Sequence, residues 1–246
     1  MDKRILHYLC PVFIQMITAA AIVCLLEKNG IECGYGSVTG IALVIAGGIS
    51  SALWGCVYQI RYGGRSMKDI VKDFFHIKED IGGYLLVLLF VALSFAGVPF
   101  GGSLNASLVS LVFIFLKSIA FGGIEEIGWR YTFQPCVEKK LSYPAACLVT
   151  FVFWGIWHFL FFCVDGSIGS VQVLPFLLGL LMNCFMFSAV YNYKRNLWLC
   201  VLAHSLINTF AQTTSGGSDI VTTAARVVIL SLSVILCARM KRISDK

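Results

Sequence analysis

Long apolar stretches separated by short polar ones dominate the chain. Eight runs of mostly hydrophobic residues fall at 8–26, 38–60, 81–100, 106–133, 143–164, 173–193, 197–213 and 220–238. Each is close to the 17–25 residues needed to cross a bilayer core of about 30 Å. The fourth run is the longest and is interrupted by Lys117. The first is too long, and too like those that follow, to be a cleaved signal peptide. No short repeat and no low-complexity linker is visible. The pattern predicts an all-α fold: one polytopic membrane domain over 1–246, a helical bundle of about eight transmembrane helices.

Composition agrees. Hydrophobic residues make up 58% of the chain and charged residues 13%, with a mean hydropathy of +0.84. A soluble domain carries about 25% charged residues. The net charge of +6 raises the question of nucleic acid, and the placement of the cations answers it. Lys3 and Arg4 precede the first run. Arg61, Arg65, Lys68, Lys72 and Lys78 lie between the second and third. Lys139 and Lys140 follow the fourth, Lys194 and Arg195 the sixth, and Arg239, Lys241, Arg242 and Lys246 the eighth. With alternating spans all of these fall on one side. On the other, Lys28 is the one clear cation, and 98–105, 165–172 and 214–219 have none. This positive-inside asymmetry predicts a cell-membrane protein with both termini cytoplasmic and no nucleic-acid partner.

Most of the ten cysteines sit within apolar runs, where they act as small hydrophobes. No CxxC pair supports a zinc knuckle or a redox motif. The stretch 59–80 carries Arg61, Arg65, Lys68 and Lys72 near helical spacing, with Ile70, Phe74, Phe75 and Ile77 between them. It reads as a helix lying on an anionic leaflet or as an ordinary connecting loop with topogenic charges.

Ionisable residues within membrane runs are costly, so each one prompts a functional hypothesis. Lys117 and Arg226 read as structural residues that snorkel toward helix ends. The remaining groups form three patterns. In the first, Glu125-Glu126-Ile127-Gly128-Trp129-Arg130, Glu126 and Arg130 stand at i and i+4 and can pair. Glu125 lies about 100° around the helix from Glu126. A carboxylate in a low-dielectric site suits a general base. Gly122, Gly123 and Gly128 would let another backbone come close. The second pattern is Trp154-Gly155-Ile156-Trp157-His158. The third is His204-Ser205-Leu206-Ile207-Asn208, with His204 and Asn208 on one helical face.

A histidine and a carboxylate can position and deprotonate a water, while a second histidine with an amide can donate to an oxyanion. Counted at about 1.5 Å per residue, Glu125 lies about 13 Å from the cytoplasmic end of its run, His204 about 10 Å and Asn208 about 16 Å. His158 comes out at about 22 Å, so its helix begins later than drawn, tilts, or is displaced. A lone polar residue such as His158 or Asn208 is often interhelical glue. Five ionisable groups on three helices favour a functional site, for catalysis or for transport of ions or protons.

Together, EExxxR, aromatic-xxx-H and HxxxN, in that order on successive spans, resemble the CPBP family. These are the CAAX prenyl endopeptidase and bacteriocin-processing intramembrane proteases, also called Abi. The resemblance covers about 106–213. The family usually has phenylalanine four residues before the second-motif histidine, where this chain has Trp154. The resemblance implies that Glu125 and His158 activate a water, that His204 and Asn208 form an oxyanion site, and that Glu126 and Arg130 support its geometry. It implies a hydrophobic or lipidated peptide or protein as substrate, with a bacterial processing enzyme as the favoured setting, and says nothing of oligomeric state. A metal-free mechanism is favoured over zinc held by Glu125, His158 and His204. A proton-coupled transporter or a non-catalytic scaffold stands as the alternative, although the polar motifs crowd into the second half and show no repeat.

Overall fold

The computed structural model describes residues 3–244, with side chains as far as Met240. The cations expected at Lys241, Arg242 and Lys246 lie outside the described side chains. In chain order the helices are α1 (Leu6–Lys28), α2 (Val38–Gly48), α3 (Ser50–Tyr62), α4 (Met67–Phe74), α5 (Ile81–Ser94), α6 (Leu108–Phe121), α7 (Tyr143–Asp165), α8 (Val173–Lys194), α9 (Leu197–Thr213) and α10 (Asp219–Ser244). After α6 the chain stays helical to Glu138, but its winding changes: a 3₁₀ turn at Gly123–Glu125, an α turn at Glu126–Gly128, a π turn at Trp129–Phe133 and a last α turn at Gln134–Glu138.

Among the described residues, six helical stretches are long and apolar enough to cross a membrane. Their outer surfaces are apolar too: Ile14 is 65% exposed, Val109 65% and Phe113 69%. Water does not tolerate so much contiguous apolar surface. The chain is a multi-pass membrane protein built as a helical bundle. Two of the eight expected spans differ. The seventh is the 17-residue α9. The third is only the 14-residue α5, about 21 Å long. α5 ends at Ser94 because the chain then turns at Gly97, whose carbonyl accepts from the Ser218 N–H at 3.0 Å. A Cβ at Gly97 would lie 2.2 Å from Thr222 Oγ1. The segment then forms β1 (Gly102–Leu104), which pairs antiparallel with β2 (Thr214–Gly216).

The chain divides into two compact units, Met1–Met67 with Ile127–Leu181, and Lys68–Glu126 with Met182–Lys246. In the first, α1 presents Tyr8, Val12, Met16, Ala19 and Val23 as one buried stripe at helical spacing. α3 approaches the backbone around Gly128 closely, since a Cβ at Gly55 would lie 2.9 Å from the Ile127 carbonyl oxygen. In the second, α9 packs along α6 and its start is anchored. Asn196 Oδ1 accepts from the Leu199 N–H at 3.2 Å, while its amide donates to Glu79 Oε2 at 3.0 Å. Beside it Asp80 caps α5 by accepting from the Gly83 N–H at 2.9 Å, and pairs with Lys194.

The basic stretch 59–80 does hold a surface helix, shorter than its charge pattern: α4 buries Ile70 and Phe74 and leaves Lys68 and Lys72 exposed. Lys117 does not lie toward a helix end. It sits well inside α6, where Nζ donates to Gln212 Oε1 at 2.9 Å. The fourth run extends five residues past its expected end, so Glu125 lies about 20 Å along its own helical stretch instead of 13 Å. α7 begins at Tyr143 as expected, which removes a late start as the reason for the depth of His158.

Candidate active site

In the second unit the site grows from two glycines. α6 stops at Phe121 and the chain tightens into the Gly123–Glu125 turn, with the Gly122 N–H donating to the Ser118 carbonyl at 2.9 Å. A Cβ on Gly122 would lie 2.3 Å from Asn208 Nδ2 and 3.2 Å from His204 Nε2. A Cβ on Gly123 would lie 2.8 Å from Val201 Cγ1 and 3.0 Å from Ser205 Oγ. No side chain fits at either position, and that lack lets α9 seat its His204/Asn208 face directly against the turn. The Asn208 and His204 nitrogens therefore border the same small volume beside Gly122.

Immediately after the turn, Glu126 Oε1 lies 2.6 Å from His204 Nδ1. Glu126 is wholly buried and His204 is 3% exposed. An isolated buried charge costs several kcal/mol, so a hydrogen-bonded partner at this distance is what makes the carboxylate tolerable. A carboxylate only accepts, so Nδ1 carries the proton in this contact and Nε2 is the ring nitrogen turned toward Gly122. Phe187 of α8 stacks on the imidazole, 5.1 Å between centroids at 27°, and fixes the ring plane. Glu125, 5% exposed, occupies the last position of the 3₁₀ turn.

In the first unit the π turn carries Arg130, which is wholly buried with its guanidinium 4.0 Å from the centre of the Trp154 ring. The turn is held from outside. Gln59 of α3 donates to the Tyr131 carbonyl at 2.8 Å, and the Thr132 hydroxyl donates to the Ile127 carbonyl at 2.8 Å. Trp154 lies 5.2 Å from the His158 ring. Trp157 at 5.1 Å, Phe176 at 5.3 Å and Phe162 at 5.8 Å complete an aromatic surround for that histidine. Trp157 is itself pinned, donating from Nε1 to Ser50 Oγ at 2.9 Å.

The expected residues thus fall into two sets. Glu125, Glu126, His204 and Asn208 belong to the second unit, and Arg130, Trp154 and His158 to the first. Glu126 has a partner that sequence spacing did not offer, His204 at 2.6 Å, 78 residues further along. Phe187, Gln59 and Phe176 carry no signal in the sequence that distinguishes them from neighbouring residues in apolar runs. Zinc, weighed from the sequence, would need three donors together. Among the described residues no three His, Cys, Asp or Glu side chains are grouped to hold a metal ion, and His204 Nδ1 faces a carboxylate. No step is routed through a metal.

The family profile of the type II CAAX prenyl endopeptidase Rce1-like proteins matches residues 105–210, a stretch that holds all three motifs. The chain is also 28% identical over 143 residues to CAAX prenyl protease 2 of Methanococcus maripaludis, an alignment covering 50% of each protein. The chain spans about half the length of that curated relative.

Proposed function

We propose, from the match of residues 105–210 to the Rce1-like CAAX prenyl endopeptidase profile, that this protein is an intramembrane endopeptidase hydrolysing a hydrophobic or lipidated peptide. Its place is the cell membrane, with both termini cytoplasmic. The observation that carries the reading is the buried Glu126–His204 pair beside the Asn208 amide, with glycine where any side chain would block both donors.

Glu125 accepts a proton from a water held with the help of His158, and the water oxygen adds to the scissile carbonyl carbon. Negative charge develops on the carbonyl oxygen. His204 Nε2–H and Asn208 Nδ2–H donate to it, and each preorganised donor of this kind is worth about 10²–10³ in rate. Glu126 accepts from Nδ1, so the ring that carries a second proton on Nε2 is balanced by a carboxylate. The carbon–nitrogen bond then breaks, and the proton taken by Glu125 passes to the departing amine. Arg130 and Trp154 position His158.

The test compares purified wild type with Glu125→Gln on a pool of hydrophobic and lipidated peptides, read by mass spectrometry with and without a strong chelator. Cleavage by wild type alone, indifferent to chelator, is expected, with the variant slower by about 10²–10⁴. Chelator-sensitive cleavage would return zinc to the mechanism. Undiminished cleavage by Glu125→Gln would remove Glu125 from it.

A further inference from the structure

α4 has 8 residues and is about 12 Å long, too short to cross a bilayer. At about 100° per residue its side chains fall into rows. Ile70 and Phe74 form a buried row. Beside it Met67 and Val71 are each about half exposed. Phe75 continues that row and is more exposed still; its N–H donates to the Val71 carbonyl at 3.1 Å. Next come Lys68 and Lys72, both exposed, and then Asp69 and Asp73, on the side opposite Val71. A helix lying at a membrane surface meets protein, acyl chains, headgroups and water in that order. The cations continue past the helix. Lys78 is exposed, and so is Arg195 in the turn between α8 and α9. Arg195 takes a left-handed backbone, φ 51°, that glycine or asparagine would adopt at less cost. The carboxylates of this corner are engaged within the fold: Glu79 Oε2 accepts from the Asn196 amide, and Asp80 pairs with Lys194. The same amide donates to the His76 carbonyl at 3.2 Å. The segment leaving α4 is thereby tied to the residue that caps α9, the helix of His204 and Asn208.

We propose that α4 is a binding site for anionic phospholipid, and that the bound lipid steadies the start of α9. Met67, Val71 and Phe75 enter the acyl region. Lys68 and Lys72 lay their stems along it and bring their ammonium groups to the phosphates. Lys78 and Arg195 extend the cationic band. Asp69 and Asp73 lie farthest from the acyl chains, where their repulsion of the lipid is weakest. The apolar row sits between the buried row and the lysines on a chain already embedded in a bilayer, so each side of α4 meets the surroundings it suits when lipid covers it. A zwitterionic lipid would cover the apolar row and leave the lysines against a neutral layer; charge complementarity selects an anionic one. Because His76, Glu79 and Asn196 join this corner to the cap of α9, a lipid that binds the folded corner also stabilises that cap. No catalytic step enters the assignment, which stands apart from the endopeptidase reading.

The experiment uses the full chain, in vesicles of phosphatidylcholine alone or mixed in equal parts with phosphatidylglycerol. With Phe75 replaced by the photo-crosslinking benzoylphenylalanine, mass spectrometry after irradiation should find lipid adducts at that position, with phosphatidylglycerol over-represented. In detergent, wild type should bind a fluorescent phosphatidylglycerol more tightly than the matching phosphatidylcholine. Lys68→Gln and Lys72→Gln should each weaken that binding about fivefold, and Lys→Arg at the same positions should keep it. Phosphatidylglycerol should raise the melting temperature of wild type and not that of the double Gln variant. Absence of lipid adducts at position 75, or crosslinks there to protein alone, would overturn the proposal. So would adducts formed without preference for the anionic lipid, which would make α4 a plain apolar anchor, or tight binding kept by the double variant. Binding that leaves the melting temperature unmoved would break the link to α9. No readout depends on cleavage, so these outcomes leave the endopeptidase reading where it stands, and an inactive wild type leaves the lipid site where it stands.

Discussion

His204 and His158 both sit on apolar helices, yet their surroundings differ in kind. His204 has a buried carboxylate at 2.6 Å on one ring nitrogen, a stacked phenylalanine on its face, and the Asn208 amide beside its other nitrogen. The rings around His158 are Trp154, Trp157, Phe162 and Phe176, and Arg130 caps Trp154 from behind. Charge sets the state of the first imidazole, and shape sets the orientation of the second. In the mechanism proposed above, the histidine that donates to a developing anion needs a fixed proton inventory, and the one that aims at a water needs a fixed direction.

Substitutions should break the two in different ways. The largest effect is expected from Glu126→Ala, which leaves His204 buried without its carboxylate. Removing one partner of a buried pair costs about 3–5 kcal/mol, so both cleavage and the melting temperature should fall; a variant as stable as wild type would show that the pair is not an energetic unit. Next come Asn208→Ala and Gly122→Ala. The first deletes a donor and should lose about 10²–10³ in kcat with little change in melting; the second pushes a methyl group into that donor and against α9, so it should lose activity and melting temperature together. Activity retained by Gly122→Ala would mean the amide does not work where it is seen.

At His158 the order reverses. Trp154→Ala should cost about 3–5 kcal/mol of stability through the cavity it leaves, with a further loss from the arginine contact. Trp154→Phe should recover much of both, and comparing the two by thermal melting and cleavage separates ring bulk from indole chemistry. The smallest effect is far from either histidine. The Lys194 hydrogen bond and the Gly83 N–H hold the Asp80 carboxyl below its usual range. Its contribution is then complete above about pH 4, where an unfolded aspartate ionises, and is lost as pH falls through the lower folded value. A slight melting deficit in Asp80→Asn at neutral pH, vanishing in acid, is the expected signature.

Much of the candidate site was proposed from the sequence because charged groups in apolar runs are costly. Glu125, Glu126, Arg130, His158 and His204 all stood out that way. The glycines before the first motif were legible as places of close approach, and the structure has α9 pressed against Gly122 and Gly123. What could not be read depended on distant partners. Local spacing could not offer His204 to Glu126, because that contact joins residues 78 apart on different helices. The end of α5 was hidden because residues 95–100 are as apolar as the helix before them, and only packing against Ser218 and Thr222 turns the chain. The π turn at Trp129–Phe133 had no signal of its own, and Gln59 meets it from another helix.

The π turn at Trp129–Phe133 has a consequence for length. Such a turn is what a regular helix becomes when it takes in one extra residue. Deleting a single residue there would let the helix rewind into an unbroken α form, at no loss of any charged group. It would also take the Tyr131 carbonyl and the Thr132 hydroxyl out of the places where Gln59 and the Ile127 carbonyl now meet them. This stretch should therefore accept exchanged side chains far more readily than a change in their number. Its information is stored as a count of residues as well as in their identities.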